Sequence, residues 1–407
     1  MLDSRTDRGL LHLALAVGAT IPGLVERFGL FDAPVEVETV LFGVAIMGAA
    51  FVLSWAAEVA QLDVSQTLAI AVLAIIAVLP EYAIDLFLAF RAGQGDAEAT
   101  SLAVANMTGA NRLLIGIGWA TVVLIAWRKS GVREVVMKPE QRTDVGFLLL
   151  ASLWGVFIPL RKEISFLDLA VLGFLFLAYI VRAAREEVAE VELAGAAKTI
   201  GDLPTVRRRV ATVLLFLFSA GAILAVAEPF ADSLREIGER FGISKFLLIQ
   251  WIAPLASEAP EMIIAIIFVL RMKARIGLGT LISSKVNQWT LLVGTLPLVF
   301  SIGAGAVGAL PLDGRQQEEV LLTAAQSLFA VAVIANLSIS RAEALALLVL
   351  FSAQLAIPIP EVRLGFAAAY LLFFVALVVW RPEVRAGLLA AARYSFRPRR
   401  AQKDLIE

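Results

Sequence analysis

Apolar stretches of about 17 to 25 residues recur along the chain, each long enough to carry a helix across a bilayer. They fall near 8–26, 38–58, 66–90, 98–127, 144–160, 165–183, 210–230, 243–270, 276–302, 318–337, 341–357 and 363–380. The pattern predicts an all-α polytopic membrane protein with about 12 transmembrane spans. The stretch from Leu10 to Ile21 has the length of a signal h-region, but Pro22 and the acidic run behind it lack a small-residue cleavage pattern, so a retained helix is expected. Pro358 and Pro360 separate the last two stretches without a polar loop.

The polar positions between the stretches set orientation. Arg128, Lys129, Arg133, Lys138 and Arg142 share one loop, Arg207, Arg208 and Arg209 end another, and Arg271, Lys273 and Arg275 occupy a third. Arg381, Arg385, Arg393, Arg397, Arg399, Arg400 and Lys403 follow Trp380. With twelve spans all four groups fall on one face, which by the positive-inside rule is the cytoplasm. Glu26, Asp32, Glu36 and Glu38 fall on the other. A multi-pass protein of the cytoplasmic membrane, with both termini in the cytoplasm, is expected.

The chain also repeats itself. Ser54 and Ser65 stand eleven apart before an apolar run that ends in Leu79-Pro80-Glu81, and Ser233 and Ser244 do the same before Ala259-Pro260-Glu261. The second serine precedes the glutamate by 16 and 17 residues, and an apolar half-helix then runs to Arg91 or Arg271. Five spans separate the copies, and an odd number inverts the second. Two inverted five-helix repeats plus about two extra helices follow: an N-terminal helix in 1–37, repeats in 38–184 and 210–357, a cytoplasmic linker in 185–209 carrying Glu186, Glu187, Glu190 and Glu192, and a C-terminal helix with a basic tail in 358–407. Inverted repeats with interrupted helices near the midplane are a secondary-transporter architecture.

Composition narrows the chemistry. The chain is 59% hydrophobic and 17% charged, with a net charge of −1, no cysteine and one histidine, His12. Its mean hydropathy is +0.84. The balanced charge argues against a nucleic-acid partner, and the missing thiols and histidines exclude a disulfide, a thiolate metal site and a Cys/His catalytic pair. Expected partners are the lipid bilayer and small inorganic cations, with no cofactor and no protein partner inferred.

Acidic side chains inside spans cost about 2.5 to 3.5 kcal/mol on insertion scales, so each needs a partner, an ion or a proton. Four lie beside two prolines. Glu81 and Asp85 are four apart and Glu258 and Glu261 three apart, each pair on one helical face. Pro80 and Pro260 loosen the helix and free carbonyl oxygens. Carboxylates with free carbonyls predict a hard-cation site, and calcium accepts such irregular oxygen shells. The plainer alternative is that these acids pair with nearby bases or stay protonated. Asn106-Met107-Thr108-Gly109-Ala110-Asn111 and Ser283-Ser284-Lys285-Val286-Asn287-Gln288 follow in the two halves, supplying neutral oxygen donors or close helix packing. Arg112 and Lys285 either pair with the excess carboxylates or occupy the place of a transported ion.

At these residues the chain resembles the membrane region of the calcium:cation antiporter superfamily, especially its sodium/calcium exchanger branch. Each inverted repeat of that family carries a Thr-Ser-Leu-Pro-Glu turn followed by a Gly-Asn-x-x-Gly-Ser-Asn-like turn. Here the first repeat reads Ala77-Val78-Leu79-Pro80-Glu81, then Ala105 to Asn111, and the second reads Ser257-Glu258-Ala259-Pro260-Glu261, then Gly279 to Lys285, with Gln288 beyond. The resemblance covers roughly residues 40–357. It implies that Glu81 and Glu261 are central calcium ligands, that Ser257, Ser284 and Gln288 complete the pocket, and that Asn106 and Asn111 sit in the matching first-half turn. Ala77 and Val78 replace two hydroxyls, and Glu258 replaces a serine. A carboxylate carries a proton where a hydroxyl does not, which suggests protons as an alternative to sodium for the counter-ion.

The expected function is a secondary antiporter exchanging calcium, or another hard cation, for sodium or protons by alternating access. Helices bearing Glu81 and Glu261 would form a fixed core past which neighbouring helices slide. A monovalent sodium/proton antiporter on the same fold is one alternative. From another class come an intramembrane enzyme using Glu81, Asp85, Glu258 and Glu261 as acid/base groups, which lacks a nucleophile–base pair, and a non-transporting scaffold.

Overall fold

The structure, a computed structural model, describes residues 4–63, 79–184, 193, 195–357 and 359–396. Ser65, Ala77, Val78, Glu186, Glu187, Glu190, Glu192, Pro358 and the basic residues from Arg397 onward lie outside the described residues. The helices are α1 (Ser4–Arg27), α2 (Val35–Ala60), α3 (Leu79–Gly93), α4 (Ala97–Ser130), α5 (Arg142–Gly155), α6 (Phe166–Ala183) and α7 (Ala196–Gly201). There follow α8 (Thr205–Phe241), α9 (Lys245–Leu270), α10 (Ala274–Ala304), α11 (Gly314–Val333), α12 (Arg341–Ala356), α13 (Pro360–Trp380) and α14 (Pro382–Phe396). Among the described residues, nine helices are long and apolar enough to cross a membrane.

Three expected spans fall outside that set: of the stretch 66–90 only α3, 15 residues long, is described, and the other two form α11 and α12. The α11 helix buries Gln316, Glu319, Thr323, Gln326 and Ser327, and α12 is only 16 residues long. The expected tail after Trp380 is instead the helix α14, whose Val384, Leu388, Ala391 and Tyr394 are buried at helical spacing while Arg385 and Arg393 point outward. Arg207, Arg208 and Arg209 likewise belong to the first turns of α8 rather than to a loop, because Pro204 sits ahead of the helix and starts it early.

The chain forms two compact units. One comprises Met1–Phe87 with Ala184–Glu261, the other Leu88–Ala183 with Met262–Glu407. In the first, α1, α2, α7 and α8 pack around Ala16, Val52, Trp55, Val59, Ala196, Ala197 and Ile200. Small residues let α1 and α2 touch: a Cβ on Gly48 would fall 2.6 Å from the Ala16 carbonyl, and one on Gly23 2.8 Å from that of Leu41. Asp63, just beyond α2, accepts hydrogen bonds from Arg208 Nε at 2.7 Å, Arg208 Nη2 at 2.9 Å and Arg209 Nε at 2.9 Å.

The second unit shows the inversion directly. Strand β1 (Glu134–Val136), between α4 and α5, pairs antiparallel with β4 (Ser338–Ser340), between α11 and α12. Strand β2 (Glu163–Ile164), between α5 and α6, pairs with β3 (Leu310–Pro311), between α10 and α11. The connection after the third helix of each half thus meets the connection after the fourth helix of the other. Successive connections within a half lie on opposite membrane faces, so this exchange requires the halves to run in opposite senses. Each exchange is closed the same way: Lys162 and Leu337, non-glycine residues at φ 61° and 62°, accept from the amides of Leu312 and Met137 at 2.8 Å. Left-handed backbone costs such residues about 1–3 kcal/mol, so the surrounding contacts hold both turns in place.

The basic loops share one face of this unit. Lys129 Nζ donates to the Leu270 carbonyl, Arg275 Nε donates to the Val136 carbonyl at 2.8 Å, and the Arg341 guanidinium stacks 5.0 Å from the Trp127 ring centroid.

Candidate ion-binding site

Glu81 and Asp85 lie one turn apart on α3, and both are fully buried. Ser257, Glu258 and Glu261 lie on α9 and are 2%, 0% and 7% exposed. The α9 helix contains Pro254 and Pro260. A proline has no amide hydrogen, so Pro260 leaves the Ala256 carbonyl without its usual helical donor. Ser257 Oγ sits in the loosened turn, donating to the carbonyls of Ala253 and Pro254 at 3.3 and 3.4 Å.

Within the first unit three of these carboxylates converge, and Asp85 is not among them. Glu81, Glu258 and Glu261 each offer a carboxylate oxygen, and the three atoms lie within 4.8 Å of one another. Oxygens that far apart can share one ion at about 2.4 Å, the usual calcium–oxygen distance. Both oxygens of Glu81 are buried without a hydrogen-bond partner among the described residues. Ser257 and Glu258 are its polar neighbours across from α9, and Glu261 adds like charge. Three carboxylates brought this close inside a membrane-spanning unit repel one another, and a cation or protons between them would offset that repulsion.

Asn106, Asn111, Ser284 and Gln288 belong to the second unit, where they hold matching places on α4 and α10. Asn106, Asn111 and Gln288 are buried, and Ser284 is half-buried. Asn111 Nδ2 donates to the Met107 carbonyl at 2.8 Å while its Oδ1 accepts from Lys285 Nζ at 2.6 Å. Both helices pass at this level into a π-helical stretch, Leu114–Trp119 in α4 and Gln288–Leu292 in α10. Such stretches interrupt the regular backbone ladder and recur at functional sites.

The two basic residues in the spans have different surroundings. Arg112 is buried against Glu319 on α11, 2.5 Å from Nη2 to Oε2, rather than against the four acids singled out in the sequence. Lys285 is fully buried with its ammonium 4.6 Å from the Trp289 ring centroid. Sequence reasoning also passed over Asp144, which is buried and accepts from Tyr179 Oη at 2.8 Å and Ser283 Oγ at 3.0 Å. Its only signal was a carboxylate at the edge of an apolar run.

Known proteins resemble this chain over most of its length. The family profile described as "Sodium/calcium exchanger protein" matches residues 38–184 and 211–359. The crystal structure of the H+/Ca2+ exchanger CAX is 43% identical, covers 96% of this chain and 99% of its own, and superposes with a TM-score of 0.91. Native YfkE, at 16% identity, covers 88% and 99% with a TM-score of 0.63. The sodium-calcium exchanger NCX_Mj soaked with Na+ and Ca2+, at 17% identity, covers 78% and 96% with a TM-score of 0.53, so these two share the fold. No curated protein sequence matches the chain significantly. The fold, the inverted halves and the extent of these matches establish that the chain belongs to the sodium/calcium exchanger family, within the calcium:cation antiporters.

Proposed function

We propose that this protein is a secondary antiporter that exchanges calcium for protons across the cytoplasmic membrane. The observation that carries the reading is the buried triad of Glu81, Glu258 and Glu261, with oxygens within 4.8 Å. A calcium ion among them would be held by Glu81 and Glu261 from the two halves, with Glu258 and the Ser257 hydroxyl beside it. Asp85, Asn106, Asn111, Ser284 and Gln288 are proposed to complete the pathway. When calcium leaves, protons offset the repulsion among the same carboxylates. Because ion and proton compete for one set of oxygens, alternating exposure of that set to the two faces couples their movements in opposite directions.

The choice of protons over sodium is supported by the extra carboxylate of Glu258 and by the 43% identity to a structure described as an H+/Ca2+ exchanger. The repeats are taken as 38–184 and 210–357, with about 12 spans in all. The shared face of the Arg128–Arg142 and Arg271–Arg275 segments favours placing that face, and both termini, in the cytoplasm.

Calcium uptake into proteoliposomes under an outward proton gradient tests the reading, with Glu81→Gln and Glu261→Gln as controls. Uptake that disappears in both variants, while they remain folded, is the expected result. Uptake only under a sodium gradient would replace the proton. Sodium/proton exchange without calcium uptake would replace calcium.

A further inference from the structure

Three helices of the second unit frame an open groove. Val349 and Leu350 of α12, Phe373 and Leu377 of α13 and Phe329 of α11 line it, and its wall is almost wholly apolar. It encloses about 610 Å³, within the roughly 300–1,000 Å³ of small-ligand sites. Phe329 gives it a packed base, being buried with its ring 5.7 Å from those of Tyr370 and Phe373.

An apolar groove in a bilayer is covered by lipid tails or by another apolar surface. One end of this groove is more specific. Trp380 and Arg381, at the end of α13, complete its lining. The Arg381 guanidinium is half exposed and reaches Glu343 in the first turn of α12, Nη1 to Oε1 at 3.3 Å. Among the described residues this is its only side-chain partner. Glu343 is divided between that contact and Ser340, whose amide and hydroxyl donate to its other oxygen at 2.9 and 2.8 Å. So exposed a pair holds the guanidinium only weakly.

This end lies on the face of the basic segments. Strand β4, just before α12, pairs with β1, and Arg341 at the start of α12 stacks on Trp127. Arg341 and Arg385 are exposed there, the latter one turn beyond Arg381, and Glu383 is the other exposed acid. A trough of apolar side chains that ends in an indole and a guanidinium follows the polarity of a phospholipid, from tail through interface to phosphate.

We propose that this groove holds one anionic phospholipid of the leaflet on the basic face, with an acyl chain lying over Phe329 between Val349 and Phe373 and the headgroup phosphate at Arg381. A phosphate offers the guanidinium the forked contact that Glu343 does not make. The lipid supplies tail and anion in one molecule, which favours it over a second copy of the chain as the occupant. The site goes beyond ion exchange and does not depend on which ions are exchanged.

The test uses the full-length protein in detergent, probed with dioleoyl phosphatidylglycerol and dioleoyl phosphatidylcholine, which share tails and differ in headgroup charge. Native mass spectrometry counts bound lipid, and thermal unfolding reads the stabilisation. The native chain is expected to retain one phosphatidylglycerol with at least about tenfold preference over phosphatidylcholine, and to melt higher in its presence. Arg381→Gln is expected to lose the preference. Glu343→Gln, which removes the acid and keeps the guanidinium, is expected to retain it. Ala346→Trp, which fills the groove, is expected to lose the bound lipid. Arg207→Gln, at an exposed arginine of the first unit, is expected to change nothing. Equal retention of the two lipids by the native chain would overturn the proposal without any variant. So would a preference that survives Arg381→Gln, or one that Arg207→Gln lowers as much, which would mark general charge attraction. A lipid-free dimer that Ala346→Trp converts to monomer would overturn it in favour of a second copy in the groove.

Discussion

Arg112 on α4 and Glu319 on α11 form an ion pair in which both side chains are 3% exposed, joining a helix of the first half to one of the second. Arg363 on α13 extends it, with Nε 3.7 Å from the other Glu319 oxygen and Nη2 2.8 Å from Glu318. A helix outside the repeats is thereby tied to the same buried charges.

Removing Arg112 leaves Glu319 with the more distant Arg363, and removing Glu319 takes from the buried Arg112 the carboxylate it pairs with. Arg112→Met or Glu319→Leu alone is expected to cost about 3–5 kcal/mol, while the double variant recovers most of the loss. Thermal unfolding in one detergent measures all three. A double variant no better than the worse single one would show that the pair is not the unit of stability.

Asp63 gives the fold a defined acid sensitivity. Hydrogen bonds from Arg208, joined by those from Arg209, lower its pKa from 3.8 to about 2. A depressed carboxylate pKa contributes stability that is complete above the ordinary value and is lost as pH falls through the shifted one. The native chain should therefore exceed Asp63→Asn in stability at neutral pH, and the gap should close between 3.8 and about 2. A gap that does not change over that window would separate the arginine contacts from Asp63 ionisation.

Gly93 at the end of α3 and Gly303 near the end of α10 meet in a reciprocal crossing. A Cβ on Gly93 would run into the Phe300 carbonyl, and one on Gly303 into the Phe90 carbonyl. Backbone cannot swing aside as a flexible side chain does, so alanine at either position should cost about 1–3 kcal/mol. The two costs should not add, because either methyl alone separates the helices. Melting of the two single variants and the double checks this, and a fully additive double would mean two independent sites.

The spans were legible because membrane crossing is a requirement of length and polarity, both visible in one dimension. Glu81, Glu258 and Glu261 were legible for a related reason: an acid beside proline inside an apolar run has no cheap structural explanation. Glu319 was not, since Glu318 and Glu319 stand at the polar edge of an apolar stretch and Arg112 is 207 residues away. The π-helical stretches leave no mark in composition. The α14 helix was hidden by its arginines, which drew attention to charge although Val384, Leu388 and Ala391 keep helical spacing. The meeting of Asn111 with Lys285 required both the repeat register and the coordinates, because the register names equivalents without saying that they touch.

The exchanged strand pairs also set a schedule for biosynthesis. When Glu134–Val136 leaves the ribosome, its partner Ser338–Ser340 has not been made. About two hundred residues must still be added, which at about 5–20 residues per second takes roughly 10 to 40 seconds. During that interval the first half waits in the membrane with one edge of its backbone unpaired. The protein therefore cannot mature half by half, and a chain cut between the repeats should become stable only when both pieces are produced together.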